Sequence, residues 1–340
     1  MHARGLDWEC ISSRCFKIHS IGHVVTNTSY FAFARHALVA GLKHLHVRPG
    51  DEVAIPELIC RDVLSSVHAV GAIPRFYPVD RNLRPIGLGE ASEAQFVLAV
   101  NYFGFPQQLG EFSQHWPKAV LIEDNAHGYL SKDVDGRRLG SRAVVGITSF
   151  RKTIRVPDGA FLTTINSVDN ELVLQPVERR PSLAYRLRVG AANTERATNL
   201  PLQKVSRSTT RLFRRLLTGT ALPASTEASE FNLPEPIAMS TYALTQLSLV
   251  DEETEVQRRR QLFRKFANEF SKEFGVPVFP HLPDQCSPYG YPFYSSKISP
   301  SLLRLAHQHH CEVIRWPDLP SAVGVPSDHF YRQLHVVNFL

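Results

Sequence analysis

LIEDNAHG (Leu121–Gly128) and VVGITSFRKTIRVPDGA (Val144–Ala160) are the two stretches on which the reading of this chain turns. The first is an apolar run that ends in an acid, Asp124, with His127 three residues later. A short polar hairpin separates it from the second, an apolar run that leads into Ser149-x-x-Lys152. Working outward, ARHALVAGLKHLHV repeats its apolar positions Ala34, Leu38, Leu42 and Leu45 at helical spacing and stops at Arg48-Pro49-Gly50. A helix is expected to begin near Thr28 to Tyr30. DEVAIP, IPRFYPVD, AQFVLAVNYFG and AVLIED read as strands, and ELICRDVLSSVHAVGA and LGEFSQHW as the helices between them. Strands alternating with helices predict β-α-β units and a mainly parallel sheet.

After FLTTIN the pattern changes. Residues 171 to 235 are basic, partly helical and interrupted by Pro181, Pro201 and Pro223, as an insertion or crossover would be. A long helix is expected from Ile237 to Phe270. VPVFP, YGYPFYSSKIS and CEVIRWPDLP, with LLRLAHQHH as a helix, then predict a small α+β unit with an antiparallel sheet. The expected division is an N-terminal arm (1–20), a large unit (21–170), the basic crossover (171–235), and a linking helix with a small C-terminal domain (236–340).

Composition narrows the function classes. The chain has 340 residues, 43% hydrophobic and 21% charged, enough for one large core and a smaller one. No apolar run reaches the roughly 20 residues needed to cross a bilayer. The first residues, MHARGLDWECISSRCFKIHS, lack a continuous apolar segment, so no signal peptide and a cytoplasmic location are expected. The five cysteines (Cys10, Cys15, Cys60, Cys286, Cys311) have no metal or disulfide spacing. The net charge is +6 and the sequence pI near 9.1, which favours anionic partners. Ten basic side chains between Glu178 and Arg215 face only two acids. Such a stretch is a solvated helical face, or a patch for an anionic substrate or membrane surface. It has too few aromatics to act as a nucleic-acid platform.

The order of residues in the central stretch suits a pyridoxal phosphate site. Asp124 at a strand end would hold the pyridine nitrogen protonated, which keeps the ring an electron sink. An Asp there equally caps the following turn. His127 would lie against the ring or meet its phenolic oxygen, or else pack beneath a loop. Lys152 would form the Schiff base and move the substrate proton, its nucleophilicity raised by burial. The alternative is a surface lysine. Ser149 is the candidate for the phosphate, with Thr148 and Arg155 as weaker ones. The helix start Phe33-Ala34-Arg35 would offer backbone N–H groups to the same phosphate, although it lacks a glycine.

Six pieces in order resemble the DegT/StrS-type sugar aminotransferases, a branch of the fold type I pyridoxal phosphate enzymes. They are ARHAL, RPGDEVAIPELIC, GAIPRFYPVD, VNYFGFP, LIEDNAHG and SFRKTIRVPDGA. The likeness is good over about 27 to 166 and loose in the C-terminal third. It implies an α/β fold with a three-layer, mainly parallel large domain and a small C-terminal α+β domain. It implies an aminotransferase that moves an amine from glutamate to a nucleotide-linked keto-sugar. Carried over, Asp124 is the pyridine partner, His127 its neighbour on the cofactor, Lys152 the Schiff-base lysine and Ser149 a phosphate ligand. Ala34 and Arg35 occupy the phosphate turn, and Cys60 the place of a stacking aromatic ring. Asn232 resembles an Asn that reaches the partner subunit's phosphate, so a homodimer with shared sites is implied. Three departures stand out: Phe33-Ala34 where Ser-Gly is common, Cys60, and Ala160 in place of a second glycine. They leave open a weakened paralogue acting as a binding or assembly subunit, or a pyridoxal phosphate enzyme acting on a non-sugar ketone.

Overall fold

The computed structural model describes residues 27–87, 91, 93–165, 174–198 and 226–340. The arm assigned to residues 1–20 and residues 199–225 of the basic stretch lie outside the described residues. Seven strands make the larger sheet: β1 (Asn27–Phe31), β2 (Glu52–Pro56), β3 (Ile73–Tyr77), β4 (Phe96–Val100), β5 (Val120–Asn125), β6 (Val145–Thr148) and β7 (Ala160–Thr164). Their order is β1-β7-β6-β5-β4-β2-β3. The ladders from β3 through β2, β4, β5 and β6 are parallel, and β7 pairs antiparallel with both β6 and β1. The mainly parallel sheet read from the alternating pattern is therefore present.

Position in the sheet follows from side-chain chemistry. FVLAV of β4 lies between β2 and β5 and is buried throughout. A strand covered on both faces has no use for polar alternation. Each buried Val or Leu there contributes roughly 1.5–3 kcal/mol relative to exposure. On β5, Ile122, Glu123, Asp124 and Asn125 are all buried, so this strand takes two carboxylates into the core.

The expected helix near Thr28–Tyr30 is a strand. NTSYF pairs along its length with AFLTT of β7, and β-branched and aromatic residues suit that half-buried pleat. Helix α1 starts only at Ala34 and runs to His44. The second expected helix is also shorter: a 3₁₀ turn at Arg61–Val63 leads into α2 (Leu64–Ala69). Helix α3 (Leu109–His115) precedes β5. Beyond β7, α4 (Leu183–Thr198) carries the described part of the basic stretch.

The long helix expected from Ile237 is two helices, α5 (Thr241–Ser248) and α6 (Glu252–Glu269). Each has its own start signal. Ser240 Oγ accepts from the Ala243 N–H, and the Asp251 carboxylate accepts from the Thr254 N–H. An Asp at that place satisfies the orphan donors of a new helix, while Glu252, Glu253 and Glu255 suit its dipole. Four antiparallel strands form the smaller sheet in the order β10-β11-β9-β8: β8 (Val276–Pro277), β9 (Gly290–Tyr294), β10 (Glu312–Arg315) and β11 (Leu334–Asn338). Helix α7 (Pro300–Gln308) lies between β9 and β10 in the chain.

One buried cation ties these parts together. Arg259 on α6 is 0% exposed. It pairs with Glu255 at 2.7 Å and donates to the carbonyls of Thr153 (2.6 Å), Pro288 and Tyr289 (both 3.2 Å). Burial is the main cause of its lowered pKa, about 10.

Candidate active site

The carboxyl ends of β4, β5 and β6 open onto one cavity of about 210 Å³, which is where open α/β sheets bind ligands. The parallel ladders set Val100 beside Asp124, and Asp124 beside Ile147. Asp124 therefore sits at the last turn of β5 and Ser149 just past the end of β6. A 3₁₀ turn, Phe150–Lys152, then brings Lys152 back over the cavity. Gly159 makes that turn fit. Its φ is +135°, and a Cβ there would lie 2.1 Å from the Phe150 ring. Gly159 N–H donates to Ala32 and its carbonyl accepts from Arg151. Ala160 is already the first residue of β7 and fully buried. A second glycine has no conformational task there.

The cavity is lined by Ala34, Arg35, Cys60, Asp124, His127, Ser149 and Lys152, among others. These are seven of the eight residues singled out from the sequence. Asn232 is exposed and is not part of the lining; its N–H donates to Ala228. Thr148 is buried in β6 within reach of Asn125, and Arg155 points to the Leu340 carbonyl. Neither lines the cavity.

Electrostatics follow from burial. Asp124 is 4% exposed. Burial raises its pKa, opposed by the Ala126 N–H that it accepts at 2.8 Å and by Lys152. Burial lowers the pKa of Lys152, which favours the neutral amine. Its Nζ lies 3.2 Å from His127 Nε2. Burial, then the Lys152 charge, pushes His127 well below its ordinary value, so the imidazole is neutral. The Cys60 thiol is pushed up to about 11, mainly by burial. It stays a thiol at neutral pH.

Three neighbours were not foreseen. His127 is stacked on Tyr289 (centroids 4.7 Å) and on Phe103 (5.6 Å), and Trp316 meets it edge-on at 5.4 Å. Trp316 also lines the cavity although it follows β10 of the smaller sheet. Its contact spans a long sequence separation, and no local pattern announces it. Beneath the site, Glu123 is 0% exposed and faces Arg142 at 2.6 Å. Asn101, which lines the cavity, donates to Glu123 at 2.8 Å. The acid was visible at the strand end, but its distant partner was not.

The fold, with a large mostly parallel sheet and a small antiparallel one, matches that of fold type I pyridoxal phosphate aminotransferases. Residues 17–174 match the model of the DegT/DnrJ/EryC1/StrS aminotransferase family. Protein MosB of Rhizobium meliloti is 29% identical over 178 residues, which cover 49% of this chain and 31% of MosB. The chain thus spans about a third of the length of that curated relative. Among solved structures, the aminotransferase TlmJ from Streptoalloteichus hindustanus has a TM-score of 0.60 at 21% identity, covering 97% of this chain and 84% of TlmJ. The GDP-4-keto-6-deoxy-D-mannose-3-dehydratase of E. coli, solved with bound hydrated pyridoxal phosphate, has a TM-score of 0.55 at 15% identity, covering 92% and 83%. At those identities the likeness is one of fold.

The cofactor that this likeness implies is pyridoxal phosphate, and the residues present fit it. Ser149 Oγ is buried with no hydrogen-bond partner among the described residues. It lines the cavity together with Ala34 and Arg35 at the start of α1, where the first backbone N–H groups have no intrahelical acceptors. A phosphate would satisfy both. Lys152 and Asp124 supply the amine and the carboxylate in the same cavity.

Proposed function

We propose that the chain is a pyridoxal phosphate-dependent aminotransferase that takes an amine from glutamate and gives it to a nucleotide-linked keto-sugar. The observation that carries this is a half-buried lysine whose Nζ sits 3.2 Å from a neutral His127, in one cavity with the Asp124 carboxylate. When bound, pyridoxal phosphate supplies an aldehyde that takes up an amine and a ring that accepts the electron pair released beside it. Lys152 would hold the cofactor covalently, and its amine is the base placed to move the proton at the substrate carbon. Asp124, whose carboxylate accepts the Ala126 N–H, would hold the proton on the pyridine nitrogen. Neutral His127, fixed between its aromatic neighbours and Lys152, would contact the ring. Ser149 and the start of α1 at Ala34 and Arg35 receive the phosphate. Cys60 covers one wall without the bulk of a ring.

The acceptor follows the sugar chemistry of the relatives, one of which is a GDP-sugar dehydratase by name. Lys152 sets this chain apart from the dehydrating branch, where the resemblance implies a His in its place. A homodimer in which Asn232 reaches the neighbouring copy's phosphate belongs to the same reading, as do the large unit over 21–170 and the small one over 236–340. Among the described residues no helix is long and apolar enough to cross a membrane, and we assign the protein to the cytoplasm.

The test is a spectrum of the purified chain, loaded with pyridoxal phosphate and dialysed, before and after glutamate. Retained cofactor absorbance that shifts with glutamate is expected, and borohydride should mark the peptide holding Lys152. No retained absorbance and an unmarked Lys152 would sink the proposal. That result would favour the second reading, a binding subunit, which the departures at Phe33-Ala34 and Cys60 support.

A further inference from the structure

Arg151 was passed over in the sequence because it stands beside the more conspicuous Lys152. It lines the cavity, and burial is the main cause of its lowered pKa, followed by the Arg35 charge. Among the described residues its guanidinium makes no hydrogen bond and no ion pair. Its one side-chain contact of note is with the Phe33 ring, 5.0 Å from the centroid. A cavity-facing guanidinium without an acid has five donors available and no anion to receive them. Phe33 is also the residue at which α1 begins, and its side chain caps nothing. Holding Arg151 over that ring therefore holds it near the helix start, in the cavity that the orphaned Ser149 hydroxyl also lines. The nearest acids are already committed. Asp62 pairs with Arg35 at 3.6 Å, and Asp158 is bonded to Arg179 and Ser240.

We propose that Arg151, held over the Phe33 ring, is the principal phosphate-binding side chain of this site. It takes over by charge the work that a glycine-opened helix start would do with close backbone N–H groups. The inference rests on the pyridoxal phosphate reading. It also gives a purpose to the Phe33-Ala34 departure: a phenyl ring in place of a small residue builds the platform on which the guanidinium lies.

The experiment compares pyridoxal phosphate with pyridoxal, which carries the same aldehyde and ring but no phosphate. Binding of each to the ligand-free full chain is followed by absorbance and by borohydride trapping at Lys152. Arg151→Gln should weaken pyridoxal phosphate about tenfold to hundredfold, the worth of one or two charge-assisted hydrogen bonds, and leave pyridoxal unchanged. Arg151→Lys keeps the charge but not the planar fork, and should fall between. Because the guanidinium makes no hydrogen bond, its removal orphans no partner, and melting temperatures should stay close to the parent. An equal loss for both aldehydes, or no loss for either, overturns the inference; it would assign Arg151 to the substrate's carboxylate or to no anion. If the parent chain itself binds neither aldehyde, the cofactor reading fails with it. If it binds both equally, only the phosphate assignment fails.

Discussion

Replacing Arg142 by Met should destabilise the protein by about 3–5 kcal/mol, the usual cost of leaving one buried charge without its partner. The magnitude comes from what the guanidinium holds. Glu123 is 0% exposed, and the Arg142 side chain 8%. Arg142 Nε donates to Glu123 Oε1 at 2.7 Å, and its other nitrogens reach Asn101 Oδ1 at 3.0 Å and the Gln107 carbonyl at 3.3 Å. Methionine keeps the backbone N–H that binds Oε2 at 2.9 Å, and Asn101 still donates at 2.8 Å. Two neutral donors do not offset a full charge in the core. Urea unfolding of the ligand-free chain near pH 7.5 measures the loss. Adding Glu123→Gln should recover most of the loss, since a neutral amide needs no cation. A cost below about 1 kcal/mol for Arg142→Met, or no recovery in the double variant, would refute the argument.

Two further outcomes follow from the geometry. Gly159→Ala should cost several kcal/mol and lower cofactor retention in parallel, because φ of +135° and the Phe150 ring both reject a Cβ; unfolding curves and cofactor absorbance check it, and an unchanged midpoint contradicts it. Stability of the ligand-free chain should fall with pH below about 6.5. His127 is held neutral by burial in the fold but protonates when unfolded, so the unfolded state binds the extra proton there. His127→Gln should flatten that limb, and an unaltered slope would exclude His127 as its cause.

Local chemistry made the larger sheet and most of the cavity legible. Alternating apolar runs and turn residues place β2 to β5, and a ligand site at the carboxyl ends of parallel strands follows from that topology. Asp124, Ser149 and Lys152 all sit within one strand or turn of those ends. Failures came where a distant partner decided the outcome. NTSYF is a strand because β7 lies alongside it, which nothing in residues 27–31 states. The break at Asp251 was legible as an Asp followed by three glutamates, but the apolar period on both sides concealed it. Trp316 reaches the site across a long separation, so no window of sequence contains both ends of its contacts; Arg142 is 19 residues from Glu123, but no local period pairs the two. Arg151 was local and still overlooked, because its meaning lies in lacking an acid, a property of the folded cavity alone.

The interior position of Arg259 bears on how the molecule comes apart. Its guanidinium binds the carbonyl after Lys152, the carbonyls leading into β9, and an acid of its own helix. Detaching the smaller sheet while the larger stays folded would strip carbonyl acceptors from that cation and leave a charge in a half-open interior. The same is true if the lysine turn opens first. Neither half has a low-energy way of unravelling alone, so heat or denaturant should take the two sheets through one shared transition.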